Sequence, residues 1–253
     1  MTNPLPGLCD KTPLSTVPAE KPPAARAVRI YPVIHHLSRE LSLEQARLAQ
    51  RCGSNGVFLI SHLGQDKEVL DVAWELKQMM GSTPFEVGVN LLSTPAVRAI
   101  EMAREAGLDM LWADQMGVNS SGLSAEGHAC VQQARQGGLR LFASVAFKYQ
   151  AREANPPEAA RQAIAAGFVP TTSGKGTGHA PELEKIVRMS EQCEGQLAVA
   201  SGMTPENIAD FAPYLSDVLV ATGVSLDEYR IDEDRLRMLV QSTKLIAGKG
   251  KPL

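Results

Sequence analysis

Short apolar runs and longer amphipathic segments alternate along the chain from Arg29 onward. The apolar runs, rich in Val, Ile, Leu and Phe, are typical of strands buried on both faces. They predict strands at 29–35, 56–60, 85–90, 110–113, 139–145, 167–171, 196–200 and 217–221. The segments between them predict helices near 43–53, 66–80, 94–106, 124–137, 157–166, 182–193, 205–213 and 232–246. Eight strands that are each followed by a helix predict an α/β fold, the closed (β/α)8 or TIM barrel. A doubly wound open sheet is the alternative.

Capping residues support several of these boundaries. A Ser or Thr shortly before a Pro or a helical run is a helix start signal. Such signals occur at Ser93 or Thr94 before Pro95, at Ser124 three residues before Gly127, and at Thr204 before Pro205. Gly107 and Gly167 each precede a predicted strand, which fits glycine at the carboxyl end of a helix.

The two ends of the chain differ from the predicted barrel. Proline recurs among small and polar residues in 1–28, so this segment has too little apolar surface to order itself and is predicted to be a tail. The barrel is predicted to span 29–247, with a short carboxyl-terminal tail at 248–253. The chain length of 253 residues matches the roughly 250 residues of one such barrel.

Composition narrows the possible partners. The formal net charge is −3, which gives no reason to expect nucleic acid. We find no secretory signal and no apolar run near the 18 residues of a membrane span, and the four cysteines lack metal-type spacing. These features predict a cytoplasmic protein with reduced thiols. Surplus apolar positions in the second helix, such as Trp74 and the pair Met79 and Met80, make a homo-oligomer the expected assembly.

Three glycine-containing loops follow the last three predicted strands. They are Ser173-Gly-Lys-Gly-Thr-Gly-His179, Ser201-Gly-Met-Thr-Pro-Glu-Asn207 and Ala221-Thr-Gly-Val-Ser225. Backbone N–H groups of such loops, with a helix amino terminus behind them, can hold a phosphate, and barrels bind phosphate at the ends of their last strands. The predicted ligand-binding residues are therefore Ser173, Gly174, Lys175, Gly176, Thr177, Gly178, Ser201, Gly202, Met203, Thr222 and Gly223, together with Asn90 at the end of strand three.

Polar residues at the ends of the other strands are candidates for catalysis, because barrel enzymes place their chemistry there. Asp114 is the candidate general base, Lys148 a phosphate ligand, acid or Schiff-base amine, and His62 a further catalytic group. Capping of the next turn by Asp114, or a structural ion pair between Asp114 and Lys148, are the open alternatives. Of the adjacent His35 and His36 only one can enter the barrel, so no metal is predicted, and no cofactor can be named.

Five sequence blocks resemble the BtpA/SgcQ family. In chain order they are Gly88-Val-Asn-Leu-Leu92, Ala125-Glu-Gly-His-Ala129, Ala143-Ser-Val-Ala-Phe-Lys148, Ser173-Gly-Lys-Gly-Thr-Gly178 with Pro181-Glu-Leu-Glu184, and Ala200-Ser-Gly-Met-Thr-Pro-Glu-Asn207. The resemblance extends from about Ile30 to Leu245. It implies a TIM-type barrel whose cyanobacterial relatives are linked to photosystem I biogenesis and whose bacterial relatives occur in sugar-utilisation contexts.

The chain also departs from that family's pattern. It has Ser61-His62 where relatives tend to carry Glu-Asn, and Ser144-Val-Ala-Phe-Lys148-Tyr149 where they carry a run resembling Asp-Val-His-Val-Lys-His. Two functions therefore stay open. One is an enzyme of the lyase, isomerase or glycosyl-transfer or hydrolysis type, acting on a phosphorylated sugar or nucleotide-like ligand. The other is a non-catalytic BtpA-like assembly or ligand-binding factor.

Overall fold

The computed structural model of the protein describes residues 27–81 and 83–249 and shows a closed barrel of parallel strands. The strands are β1 (Arg29–His35), β2 (Gly56–Ile60), β3 (Glu86–Asn90), β4 (Met110–Ala113), β5 (Val118–Asn119), β6 (Gly122–Leu123), β7 (Arg140–Ser144), β8 (Val169–Thr172), β9 (Ala198–Val199) and β10 (Asp217–Val220). The barrel order is β1-β10-β9-β8-β7-β4-β3-β2, while β5 and β6 form a separate antiparallel hairpin. The predicted TIM barrel is confirmed, and the open doubly wound sheet is excluded because β1 pairs with both β2 and β10.

Helices follow the barrel strands and cover their outer side. They are α1 (Arg39–Arg51), α2 (Asp66–Met80), α3 (Ala96–Glu105), α4 (Ala125–Ala134), α5 (Pro156–Ala165), α6 (Leu183–Gln192), α7 (Ile208–Phe211) and α8 (Glu233–Lys249). Short 3-10 turns occupy Ala212–Tyr214 and Thr222–Val224. Gly107 and Gly167, with φ of 65° and 82°, end helical segments in the left-handed conformation, as predicted.

Several boundaries differ from the sequence prediction. The seventh barrel strand retains only Ala198–Val199, and the helix predicted at 205–213 begins at Ile208. The Thr204 hydroxyl accepts from the N–H groups of Glu206 and Asn207, as at a helix cap, but the Asn207 side chain bonds to Gly202 and Thr204, and residues 205–207 form a turn ahead of the helix. The β5–β6 hairpin, which the hydrophobic pattern did not indicate, occupies the β4-to-α4 connection.

The structure confirms one predicted helix start and contradicts another. Ser124 accepts a hydrogen bond from the N–H of Gly127 at 3.2 Å and caps α4, as predicted. The start predicted at Ser93 or Thr94 is wrong, because the cap residue of α3 is Pro95. The N–H of Ser93 and the hydroxyl of Thr94 instead donate to the carboxylate of Asp66 at the start of α2.

The predicted amino-terminal tail lies mostly outside the residues that the structure describes. Strand β1 begins at Arg29, and α8 continues to Lys249, two residues past the predicted end of the barrel at 247. Within the described part of the chain, no helix is long and apolar enough to cross a membrane. Cys52, Cys130 and Cys193 are buried free thiols.

Two apolar layers hold the barrel together. The larger one lies between the strands and the helices, and includes Val72, Leu76 and Met80 of α2. The smaller one fills the barrel interior with the inward-facing residues Tyr31, Phe58, Met110, Trp112, Phe142 and Leu219. The aromatic rings of this inner group meet edge to face, with centroids 5.2 Å apart for Phe58 and Phe142. On the outer side of α2, Trp74 and Met79 remain exposed.

Gly88 of β3 leaves room for the large side chains of the barrel interior. A Cβ at this position would lie 2.6 Å from Phe58 Cε1 and 2.8 Å from Met110 Cβ. We expect Gly88→Ala to lower the free energy of unfolding by about 1–3 kcal/mol, the usual cost of overpacking. Urea denaturation measures this change. Gly176→Ala is the control, since a Cβ there would make an ordinary contact at 3.5 Å; an equal effect in both variants would contradict the packing argument.

A charged network closes the amino-terminal end of the barrel. The first residues of four strands meet there: Arg29, Glu86, Arg140 and Asp217. Asp217 is fully buried, and its Oδ1 lies 2.9 Å from Arg29 Nε and 2.8 Å from Arg140 Nη2. The Tyr31 hydroxyl donates to Glu86 and accepts from Arg140, and burial raises the pKa of Tyr31. The network therefore fixes the end of the barrel opposite the candidate site.

Candidate functional site

A cavity of about 230 Å³ opens at the carboxyl-terminal ends of the barrel strands. Its floor is apolar, and the side chains of Ile60, Trp112, Phe147 and Leu219 contribute to it. Its polar lining comes from the ends of the strands and the loops after them: His35, His62, Asp114, Gln115, Lys148, Gln150, Thr177, Ser201 and Thr222. The cavity, called the mouth below, is thus apolar at depth and polar at its rim.

Asp114 lies directly after β4 and is held by two neighbours. Asn90 Nδ2 donates to Asp114 Oδ1 at 3.2 Å, and Gln150 Nε2 donates to the Asp114 carbonyl oxygen at 2.5 Å. Asn90 is buried and does not line the mouth, so its contact with a ligand stays a prediction, and in this structure it orients the Asp114 carboxylate. The carboxylate is exposed at the rim, where it could accept a proton.

Lys148 lines the same cavity from the loop after β7, the barrel neighbour of β4. Its Nζ is 3.4 Å from Thr177 Oγ1, and its N–H donates to Ser173 Oγ at 2.7 Å. Burial lowers the pKa of the Lys148 ammonium, and the nearby Asp114 charge opposes that change. The mouth therefore contains a partly desolvated amine beside an oriented carboxylate.

The segment 146–150, called the strap below, determines where Lys148 lies. Ala146 and Tyr149 have φ of 49° and 64°, a conformation that is strained for residues with a Cβ. Phe147 packs on Trp112 with ring centroids 5.9 Å apart, and Gln150 Oε1 accepts from the Phe147 N–H at 3.1 Å. The Tyr149 hydroxyl, 3.3 Å from Thr177 Oγ1, joins the strap to the loop after β8. Lys148 is the one residue of this segment that the sequence predicted as a site residue.

A histidine pair lies on the β1–β2 side of the mouth. The rings of His35 and His62 are 5.3 Å apart and meet edge to face. Burial lowers the pKa of His35, and proximity to His62 lowers it further, so the neutral imidazole is favoured. His35 Nδ1 is buried and bonds to none of the described residues. His36 points to the helices, 2.9 Å from Ser42 Oγ, as strand alternation requires.

Among residues 27–81 and 83–249, no group of three or more His, Cys, Asp or Glu side chains is arranged to hold a metal ion.

The three glycine-containing loops pack tightly against one another. A Cβ on Gly202 would lie 2.1 Å from Ala180 N, one on Gly223 would lie 1.9 Å from Met203 O, and one on Gly174 would lie 2.1 Å from His179 O. Glycine is therefore required at these positions by backbone contact between and within the loops. Close packing of the loops therefore accounts for these glycines without a bound phosphate.

The predicted ligand-binding residues do not all line the same cavity. Those that line the mouth are Thr177, Gly178, Ser201, Gly202 and Thr222. Ser173, Gly174 and Lys175 line a neighbouring cavity on the outer side of the strap. Gly176, Met203 and Gly223 line neither, and Met203 and Gly223 are buried.

Backbone donors remain available at the mouth. The N–H groups of Thr177, Gly178, Ser201 and Gly202 donate to no other group in the part of the chain that the structure describes. The Ser201 hydroxyl donates to the Gly176 carbonyl at 3.0 Å, which ties the loops after β8 and β9 together.

Two residues that sequence reasoning did not select hold the loops after β9 and β10. Arg235 Nε donates to the Gly223 carbonyl at 2.9 Å, and its guanidinium pairs with Glu206 through contacts of 3.1 and 3.0 Å. Asn207 donates to the Gly202 carbonyl at 2.8 Å and accepts from the Thr204 N–H at 2.9 Å. Thr204, Glu206 and Asn207 therefore have a structural role, because their contacts fix the conformation of these loops.

Comparisons with known proteins support the fold. No protein-family model and no curated protein matches the sequence. Phosphoribosyl anthranilate isomerase from Thermus thermophilus matches 86% of this chain and 99% of that chain, with a TM-score of 0.61 and 17% identity. Thiamine phosphate pyrophosphorylase from Pyrococcus furiosus matches 87% and 97%, with a TM-score of 0.62 and 14% identity.

A third solved structure was determined with a ligand. It is phosphoribosyl anthranilate isomerase in complex with reduced 1-(o-carboxyphenylamino)-1-deoxyribulose 5-phosphate, and it matches 86% of this chain and 98% of that chain, with a TM-score of 0.62 and 14% identity. Likenesses at this level of identity show a shared fold alone. The chain is a TIM-barrel protein, and the BtpA/SgcQ resemblance stays a prediction.

Proposed function

We propose that the mouth binds a phosphorylated sugar or nucleotide-like molecule and that the protein acts on it as an enzyme. The observation that supports this most strongly is the position of Asp114 and Lys148 in the same cavity as the loops after β8, β9 and β10. One side of the cavity offers proton transfer and the other offers anion binding. Lyases, isomerases and enzymes of glycosyl transfer or hydrolysis are the reaction classes that use proton transfer together with anion binding.

The anion-binding side consists of Thr177, Gly178, Ser201, Gly202 and Thr222. Four of these residues have backbone N–H groups without a partner among the residues described, and Thr222 begins a 3-10 turn. Phosphate oxygens are well matched to several N–H donors and a hydroxyl, and Lys148 adds a positive charge at the same rim. Structural neighbours whose names include phosphorylated compounds favour the same ligand class.

The proton-transfer side consists of Asp114, Lys148 and His62. Asn90 orients the Asp114 carboxylate toward the rim, where it can contact a ligand, and a lysine whose pKa is lowered by burial gives up a proton more readily than an exposed lysine does. The neutral His35 beside His62 supplies a further donor or acceptor. We assign the general base to Asp114 and the acid or phosphate-binding role to Lys148, with the protein acting in the cytoplasm.

A non-catalytic BtpA-like factor is the second candidate. Ser61-His62, and residues 144–149 at the end of β7, differ from the family pattern that the chain resembles, which favours a protein that has kept its ligand and lost a shared activity. The exposed Trp74 and Met79 of α2 would suit a homo-oligomer or another partner. Turnover of a phosphorylated substrate separates this candidate from the first.

Binding of ribose 5-phosphate, with ribose as the unphosphorylated control, tests the proposed ligand class. We expect calorimetric titration to detect ribose 5-phosphate and to show ribose binding at least about 100-fold more weakly. Thr222→Asp should weaken binding of the phosphate ester at least about 100-fold, because like charges about 4 Å apart repel by about 4 kcal/mol near a protein surface.

Thr222→Asn is the matched neutral variant. It should keep affinity for ribose 5-phosphate within about tenfold of the unmodified protein, the value of one hydrogen bond. Equal affinity for ribose and ribose 5-phosphate, or equal losses in the Asp and Asn variants, would contradict phosphate binding at this position.

A further inference from the structure

A second cavity, of about 880 Å³, lies on the outer side of the strap, between the loops after β7 and β8. The strap separates it from the mouth, since Phe147, Lys148, Tyr149 and Gln150 line both cavities. We call it the outer cavity. The two cavities share Lys148 of the strap, but neither the catalytic assignment nor the phosphate site at the mouth uses the other cations of the outer cavity.

The lining of the outer cavity is strongly basic. Five cationic side chains contribute to it: Lys148, Arg152, Lys175, Lys185 and Arg188. Two glutamates, Glu153 and Glu182, contribute opposite charge, which leaves a surplus of three positive charges. The whole chain has a net charge of −3, so this concentration of cations runs against the overall composition.

The two glutamates are already engaged. Glu182 pairs with Lys175 at 2.9 Å. Glu153 accepts hydrogen bonds from the N–H of Ser120 in the β5–β6 turn at 3.2 Å and from the N–H of Asn155 in its own loop at 2.9 Å. Arg188 pairs with Glu184 at 3.6 Å, so among the described residues Lys148, Arg152 and Lys185 are the lining cations without a paired carboxylate.

Lys185 is the cation of this cavity that most strongly indicates a bound anion. It is half-buried, and its Nζ donates to the carbonyl oxygens of Ala146 at 2.7 Å and Ser173 at 3.0 Å. No carboxylate in the described ranges forms an ion pair with it, and burial lowers the pKa of its ammonium to about 8. An ammonium has three N–H donors, so one remains for a ligand. A bound anion would supply the missing counter-charge.

The amino terminus of α6 meets the same cavity. This ten-residue helix begins at Leu183, and its cap residue Glu182 makes no side-chain capping bond. Pro181 and Glu182 line the cavity just ahead of the helix. First-turn N–H groups and the helix dipole favour an anion at such a position, and they reinforce the charge of Lys185.

We propose that the outer cavity is a second anion-binding site, separate from the mouth, for a small ligand of the phosphate or diphosphate class. Lys185 lies at its base, and Arg152 and Arg188 lie at its rim. Ser173, Gly174 and Lys175, the first half of the glycine-rich loop, contribute to this site, and Thr177 and Gly178 contribute to the mouth. The assignment does not depend on the activity proposed for the mouth.

Calorimetric titration of the full chain with inorganic pyrophosphate tests this site. We expect the affinity of one site to fall at least about tenfold in the double variant Arg152→Ala with Arg188→Ala, because two charge-assisted contacts are lost. Lys185→Gln should weaken the same site while its amide keeps a hydrogen bond to a backbone carbonyl. Arg161→Ala is the control, since Arg161 pairs with Glu158 on α5 and lines neither cavity.

Thr222→Asp distinguishes the two cavities. The site that Arg152 and Arg188 support should keep its pyrophosphate affinity in this variant, even where binding at the mouth is lost. The proposal is overturned by the absence of pyrophosphate binding sensitive to Arg152, Arg188 or Lys185. An equal loss in the Arg161→Ala control, or a single site abolished by Thr222→Asp, would overturn it as well.

Discussion

Replacing Asp114 with Asn, or Lys148 with Met, is expected to reduce turnover of the phosphorylated substrate by about 10²–10⁴-fold, the usual contribution of a positioned acid or base. Both substitutions keep the approximate size of the side chain and remove its ionisable group. The expected losses follow from geometry, since both groups line one cavity from neighbouring strands and Asn90 orients the carboxylate at 3.2 Å. Steady-state kinetics, with denaturation curves for each variant, measures the effect.

Asp210→Asn is a matched control for the carboxylate, because Asp210 is an exposed residue of α7 that lines neither cavity. Its turnover should equal that of the unmodified protein. Full activity of both the Asp114 and Lys148 variants would remove these residues from the reaction and favour the non-catalytic candidate.

Asp217→Ala is expected to lower the free energy of unfolding by about 3–5 kcal/mol, because removing one partner of a buried ion pair leaves the other charges uncompensated. Asp217 is fully buried and contacts both Arg29 and Arg140. Denaturant unfolding measures the loss. Asp71→Ala is the control, since the Lys67–Asp71 pair is exposed on α2, and exposed pairs contribute little to stability. Similar losses in both variants would contradict the role given to the network.

The barrel could be predicted from the sequence because its hydrophobic period is strong and regular. Buried parallel strands give continuous apolar runs, as at 56–60, where every residue of β2 is buried. The prediction failed where local hydrogen bonds compete with that period. Thr204 and Asn207 bond to their own loop and shorten α7, and Asp66 takes the donors of Ser93 and Thr94.

The site could be predicted only in part, because the position of a residue along the chain does not give the direction of its side chain. Asp114, Lys148 and His62, which follow strand ends in the sequence, all line the mouth, while their catalytic roles stay predictions. The predicted ligand-binding residues of the loop after β8 lie in two cavities, because the strap separates Ser173, Gly174 and Lys175 from Thr177 and Gly178. The contacts of Arg235 with Glu206, and of Arg140 with Asp217, join residues far apart in sequence, which no local pattern indicates.

A crystal structure of the protein grown or soaked with inorganic phosphate tests the central claim, that the mouth is a phosphate site, most directly. We predict tetrahedral density within hydrogen-bonding distance of the backbone N–H groups of Thr177, Gly178, Ser201 or Gly202, and near Thr222. Density in the outer cavity alone, or a mouth without an anion at a saturating phosphate concentration, would contradict the claim.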